Sequence, residues 1–138
     1  MDQRINHITA AGFVIVRIFD DGVKFLALAS NRGFDIPKGR IEHNEDPYSC
    51  AIRETFEESG VFRIELPIGR EFIHISTMHI YLGITDQDPK ILPNPITGVL
   101  EHDDAIWVSF DEMESSCISF LIPAIRWAKN RLNDCGIT

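Results

Sequence analysis

The sequence has no apolar run long enough to cross a bilayer. Its longest, Ala10–Val16 and Phe25–Ala29, fall well short of the roughly 20 residues a membrane helix needs. Met1-Asp2-Gln3-Arg4 leads straight into a strand-like pattern and carries no charged-then-apolar leader, so a cytoplasmic protein with no membrane partner is expected. Cysteine is scarce: Cys50, Cys117 and Cys135 are odd in number and contain no Cys-x-x-Cys pair. That excludes a disulfide framework and a zinc site and leaves free thiols. The five histidines form no His-x-x-x-His pair and no serine-centred hydrolase signature is present, so metalloprotease and acyl-transfer chemistry are excluded. His74 and His79 read as strand residues. Basic residues are outnumbered, 13 Lys and Arg against 21 Asp and Glu, for a net charge of −8. A bare polyanion is repelled by such a surface, which disfavours nucleic acid as a partner, an RNA 5′ end excepted. Small phosphorylated ligands escape the objection, because they arrive complexed with Mg²⁺ and bridging cations can seat them in an acidic site.

What is present suits one compact domain spanning residues 1–138, with 44% hydrophobic and 25% charged residues, neither of which suggests disorder. Ile5–Phe19 and Val23–Ala29 read as strands joined through Asp20-Asp21-Gly22. Phe34–Ile36 is a short extended piece ahead of Pro37, and Lys38–Asp46 reads as a polar loop. Pro47 fits the first turn of a helix running to Ser59, with Asp46 as N-cap and Gly60 as terminator. Val61–Leu66 and Glu71–Thr85 read as strands, the second bent or split near Ser76-Thr77. Asp86–Thr97, with three prolines, is a loop over the surface or beside the site. Ala105–Val108 is a short strand and Ile118–Leu132 an amphipathic helix with Pro123 in its first turn. The alternation predicts an α/β fold with two helices on a mixed sheet.

The first helix holds the chemistry. Glu54 lies three and four residues before Glu57 and Glu58, so a helix gathers three carboxylates on one side, near a C-terminus whose dipole disfavours them. Arg53 can pair with Glu57, but one cation cannot offset three anions. A bound divalent metal can, and hard oxygen ligands suit Mg²⁺ or Mn²⁺. Taken alone, such a cluster is more often a solvated helix face, and the surrounding residues decide the matter. Gly39 is followed after five residues by Glu45, after seven more by Arg53-Glu54, and the run ends Glu57-Glu58-Ser59-Gly60-Val61.

This spacing resembles the Nudix box, which spans Gly39–Val61 here. Thr55 stands where an aliphatic residue is common; Asn44 replaces a frequent glycine and is among the few residues that visit left-handed backbone angles readily. The resemblance implies a Nudix-type α/β/α sandwich and a pyrophosphohydrolase in which water attacks a phosphorus of a substituted nucleoside diphosphate. It implies Glu57 and Glu58 as metal ligands, Glu54 as a further ligand or the group activating water, and the Gly39 carbonyl as an added ligand. Glu45 then braces the loop and Arg53 steers a carboxylate. Glu101, in Leu100-Glu101-His102-Asp103-Asp104, is the candidate ligand outside the box, with Asp103 or Asp104 as substitutes. Lys38, Arg40 and Arg32 are candidates to neutralise the phosphate chain.

Pro37-Lys38-Gly39 with Glu42, Glu45 and Arg53-Glu54-Thr55 is similar to the asymmetrical diadenosine tetraphosphate hydrolases. That branch implies a small nucleotide cleaved to ATP and AMP, and Tyr81 as the aromatic that stacks on adenine. Base stacking of that kind is worth roughly 1–3 kcal/mol; an ordinary core or surface tyrosine remains the alternative. Other open readings are an RNA 5′ pyrophosphohydrolase, a nucleoside triphosphate or inositol pyrophosphate hydrolase, and a catalytically silent nucleotide-binding domain. The protein is expected as a monomer or homodimer.

Overall fold

A computed structural model describes residues 7–138. Ile5 and Asn6 of the first expected strand, and the leading Met1–Arg4, lie outside the described residues. Strand β1 (Ala10–Phe19) and β2 (Gly22–Ser30) form the expected hairpin, with Val16 opposite Phe25 and Phe19 opposite Gly22. Strands β3 (Gly33–Asp35) and β4 (Lys38–Arg40) follow, then helix α1 (Pro47–Ser59), β5 (Phe72–Ile75), β6 (Met78–Ile84) and β7 (Asp104–Val108). Helix α2 (Phe110–Ser116), a 3₁₀ turn (Ser119–Leu121) and helix α3 (Ile122–Asp134) complete the chain.

The seven strands make one mixed sheet, ordered β3-β2-β1-β6-β5, with β4 also on β1 and β7 also on β2. The β1–β6 pair is parallel and the others antiparallel. Successive strand side chains point to opposite faces, and β1 feeds a core on each side. Phe13 and Ile15 pack with Leu26, Leu28 and with Cys50 and Ala51 of α1. Val14 and Val16 pack with Phe25, Met113 of α2 and Ala124, Ile125, Ala128 and Leu132 of α3. Helices on both faces explain why β1 reads as a continuous apolar run rather than an alternation.

Helix α1 starts and stops where local chemistry dictates. Asp46 accepts the Ser49 N–H at 3.0 Å as N-cap, Pro47 sits in the first turn, and Gly60 ends the helix at φ 74°. The long strand is split at Ser76 (φ 55°), as anticipated. Four expectations are corrected. Lys38–Arg40 is a strand, because the start of β1 offers it a ladder: Ala10, Ala11 and Gly12 pair with Arg40, Gly39 and Lys38. Val61–Leu66 makes only one bridge, Glu65 to Ile84, on the part of β6 beyond the Met78–Tyr81 stretch that β5 covers. A third helix, α2, lies between β7 and α3. It is opened by a capping box in which Ser109 Oγ accepts the Glu112 N–H and the Glu112 carboxylate accepts the Ser109 N–H. Helix α3 begins four residues later than expected, keeping Pro123 in its first turn. Among the described residues no helix is long and apolar enough to cross a membrane.

Candidate active site

The pairing of β4 with the start of β1 lays Lys38-Gly39-Arg40 alongside α1. Gly39 faces Glu54 so closely that a Cβ would overlap that carboxylate, so the absent side chain is what lets helix and strand meet here. Its carbonyl accepts from Cys50 Sγ at 3.4 Å, and burial pushes that thiol up to about 12. The loop between β4 and α1 turns through Asn44 at φ 63°, the left-handed angle expected of it. Glu45 ties the loop by accepting the Glu42 N–H at 3.0 Å.

Arg53 organises the centre. Its Nε and Nη2 donate to the two oxygens of Glu45 at 2.8 and 2.9 Å, the forked geometry only a guanidinium supplies. Nη2 also donates to the Arg40 carbonyl at 2.9 Å, and Nη1 to Glu54 at 2.8 Å and Glu57 at 3.1 Å. Bonding to Arg53, against an opposing cost of burial, holds Glu45 down at about 2, and the arginine is raised in return.

Glu58 is the most buried carboxylate of the helix, 7% exposed. One oxygen accepts the Lys38 N–H at 3.2 Å. Burial, then the adjacent Glu54 carboxylate, then the charge of Asp35 push it far above its ordinary value. Glu57 is raised chiefly by burial, with Arg53 opposing.

Lys38, Gly39, Arg40, Arg53, Glu54, Glu57, Glu58 and Glu101 line one cleft of about 480 Å³. Glu101 thus reaches it from a distant segment ahead of β7 and hydrogen-bonds Asn94 at 3.4 Å. Asp103 and Asp104 do not line it. Leu92, Pro95 and Ile96 form an apolar lip, Ile96 being 92% exposed. The proline spacing of this loop suggested a place beside the site, but not which side chains face it.

Two residues are brought elsewhere. Arg32 sits in the exposed β2–β3 turn, outside the cleft. Tyr81 is 4% exposed in the α1-side core, its ring 5.7 Å from Phe13 and 5.3 Å from Tyr48. That position leaves no open ring face for an adenine. Two others, Asp35 and His102, were given no role: Asp35, 4% exposed, bonds Lys38 Nζ at 3.2 Å and His102 Nε2 at 3.2 Å. Thr55, the box's departure, is buried, and its Oγ1 has no hydrogen-bond partner among the described residues.

The donors fit a divalent cation by their chemistry. Glu58 is ionised only at great cost beside Glu54, while the local cation, Arg53, is committed to Glu45, Glu54 and Glu57. Hard carboxylate oxygens so crowded suit Mg²⁺-like ions. Among the described residues no three acidic, His or Cys side chains already converge on one point. Arg53 Nη1 instead bridges Glu54 and Glu57.

Residues 9–128 match the family model of the NUDIX domain. The chain belongs to the Nudix family. It is a Nudix pyrophosphohydrolase, a class that generally uses divalent metal ions. A curated Nudix relative from Caenorhabditis elegans, the asymmetrical bis(5′-nucleosyl)-tetraphosphatase, is 31% identical over 110 residues, 72% of this chain and 76% of its own. Among solved Nudix structures, the C. elegans Ap4A hydrolase binary complex superposes with a TM-score of 0.70 at 21% identity, covering 92% of this chain and 98% of that one. The NUDIX domain of Shewanella oneidensis NrtR, complexed with ADP ribose, gives 0.68 at 19% identity over 96% and 94%. At these identities the structural likeness speaks for the fold, a mixed sheet with helices on both faces.

Proposed function

We propose that this Nudix enzyme is a Mg²⁺-dependent asymmetrical diadenosine tetraphosphate hydrolase, releasing ATP and AMP. The observation that carries the reading is its 31% identity over 110 residues to the tetraphosphatase of C. elegans. The cleft supports it: three cationic side chains, Lys38, Arg40 and Arg53, stand against five carboxylates, Glu42, Glu54, Glu57, Glu58 and Glu101. A polyphosphate chain is repelled by that lining unless divalent cations bridge the two. Glu57 and Glu58 are the principal ligands, with Glu54 as a further ligand or the group that takes the proton from water. Glu101 and the Gly39 carbonyl complete the donor set. Bound Mg²⁺ supplies polarised phosphoryl oxygens and a more acidic water.

The chain's own residues do the rest. Arg53 holds Glu54 and Glu57 in place, and Glu45 in turn holds Arg53. Lys38 lies at the cleft with its ammonium on Asp35, 3.1 Å away, and a phosphate oxygen competes with that carboxylate for it. Arg40, exposed at the rim, meets the outer phosphates. With Tyr81 sealed in the core, the apolar lip of Leu92, Pro95 and Ile96 offers a nucleoside base a surface at the cleft itself.

The reading is tested by offering purified protein with Mg²⁺ a panel of diadenosine tetraphosphate, nucleoside triphosphates, an inositol pyrophosphate and triphosphorylated RNA in ¹⁸O-water. Equal amounts of ATP and AMP from the dinucleotide, with the label in one product, are expected, and other members are cleaved far more slowly. Preferred release of pyrophosphate from RNA or a nucleoside triphosphate would replace this substrate with that one.

A further inference from the structure

Asp35 and His102 have no part in the scheme above beyond the ion pair with Lys38. They are 67 residues apart in sequence, Asp35 closing β3 and His102 preceding β7, yet their side chains meet in the interior. Buried polar groups need partners, and Asp35 is fully engaged. It accepts the Ile36 N–H at 2.8 Å, the Lys38 ammonium at 3.1 Å and His102 Nε2 at 3.2 Å. Although burial opposes it, bonding to His102 and the charge of Lys38 hold Asp35 below its ordinary value. An ionised carboxylate only accepts, so Nε2 carries the hydrogen and the ring's orientation is set.

The consequence falls on Glu58. His102 Nδ1 stands 3.8 Å from Glu58 Oε1, while Oε2 accepts the Lys38 N–H at 3.2 Å. Each oxygen of Glu58 therefore faces a group tethered to Asp35: on one side the imidazole it anchors, on the other the backbone of the lysine whose ammonium it holds. We propose that the Asp35–His102 pair is a positioning device for Glu58, the anchored ring being the wall that fixes how this carboxylate is presented to a divalent cation. The inference rests on the reading of Glu58 as a ligand. His102 itself touches neither cation nor substrate.

Partners that orient a metal ligand are commonly worth 10–100-fold in affinity. Leucine at position 102 fills the space without either nitrogen, whereas glutamine places an amide nitrogen where Nε2 reaches Asp35. Mn²⁺ is titrated into the wild type, H102L, H102Q and E58Q at one pH, with free Mn²⁺ read by electron paramagnetic resonance, and each variant is melted in EDTA. H102L is expected to bind Mn²⁺ about 10–100-fold more weakly at a nearly unchanged melting temperature, and H102Q to stay within about threefold of wild type. If H102L binds as tightly as wild type while E58Q loses affinity, the positioning role is overturned and the cation site stands. If E58Q binds as wild type does, the ligand reading falls and this inference with it. Should H102L not fold, H102Q decides: near-native affinity supports the device, and affinity as poor as that of E58Q overturns it.

Discussion

Glu58→Gln lowers turnover with Mg²⁺ by about 10²–10³-fold, the scale on which loss of one preorganised electrostatic group is felt, and leaves the fold intact. The amide keeps the shape of the side chain. Its oxygen still accepts the Lys38 N–H, and its NH₂ can donate to Glu54, a bond two ionised carboxylates cannot make. Without metal the variant is at least as stable as wild type, because the buried charge has gone. The pH dependence follows with a definite sign. The folded-state pKa of Glu58 is raised above its unfolded value near 4.5, so the folded protein holds the proton more tightly. That contribution is complete below the unfolded pKa and is lost as pH rises, and Glu57, also raised, acts in the same direction. In EDTA the wild-type melting temperature is therefore expected to fall from about pH 5 upward, more steeply than that of the glutamine variant. Saturating Mg²⁺ selectively restores the wild type, since a ligand bound only by the folded state stabilises it. Parallel losses of turnover and melting temperature in the variant would instead make Glu58 a structural residue.

Arg53→Ala is expected to destabilise the fold as well as slow the enzyme. It strips the forked partner from Glu45 and the shared partner from Glu54 and Glu57, leaving three carboxylates without the cation they are bonded to. Breaking a buried ion pair from one side costs about 3–5 kcal/mol; the Arg53 side chain is 24% exposed, so about 2–3 kcal/mol is a discounted figure. For a domain of this size that corresponds to a fall of roughly 10 °C in melting temperature. Turnover falls as well, because Glu54 and Glu57 lose the group that orients them. Arg53→Lys keeps the charge but not the fork, and recovers only part of both losses. Since Glu45 is held at about 2 in the native protein, its contribution is present above its unfolded value of 4.5 and fades as pH falls toward 2. The alanine variant loses this acid-side dependence. Melting curves of the three proteins between pH 3 and 7 measure it, and an unchanged melting temperature in Arg53→Ala would contradict the organising role.

The parts of the fold written in local chemistry were legible in advance. Helix α1 is bounded by Asp46, Pro47 and Gly60, each acting within one turn of itself, and Asn44 and Ser76 mark backbone reversals that only neighbouring residues govern. Helix α2 carried an equally local signal in Ser109 and Glu112, overlooked because its apolar face is short. Lys38–Arg40 and Val61–Leu66 went the other way, since a strand exists only if a neighbour has a free edge, and propensity says nothing of that.

The site divides along the same line. Arg53, Glu54, Glu57 and Glu58 share one helix face, as their spacing anticipated, and Glu45, drawn in by the resemblance, is held by Arg53. Glu101 joins them across a loop, as its place just ahead of the Ala105–Val108 strand suggested. Tyr81 did not, because a strand residue faces one side or the other, and the pairing of Phe13 with Tyr81 in β1–β6 turns it toward α1. Asp35 and His102 are not paired by any spacing in the sequence, since two distant segments bring them together and α1 adds Glu58.

The crowded carboxylates of α1 are, in this account, a cation site, and the most direct test is to see the ions. Crystals grown with Mn²⁺ and a non-hydrolysable diadenosine tetraphosphate analogue are expected to give anomalous peaks in the cleft between β4 and α1. Carboxylate oxygens of Glu57 and Glu58 should ligate them, with analogue phosphates on the opposite side. Peaks confined to other surfaces, or an analogue bound in the cleft with no ion between it and these glutamates, would contradict the account.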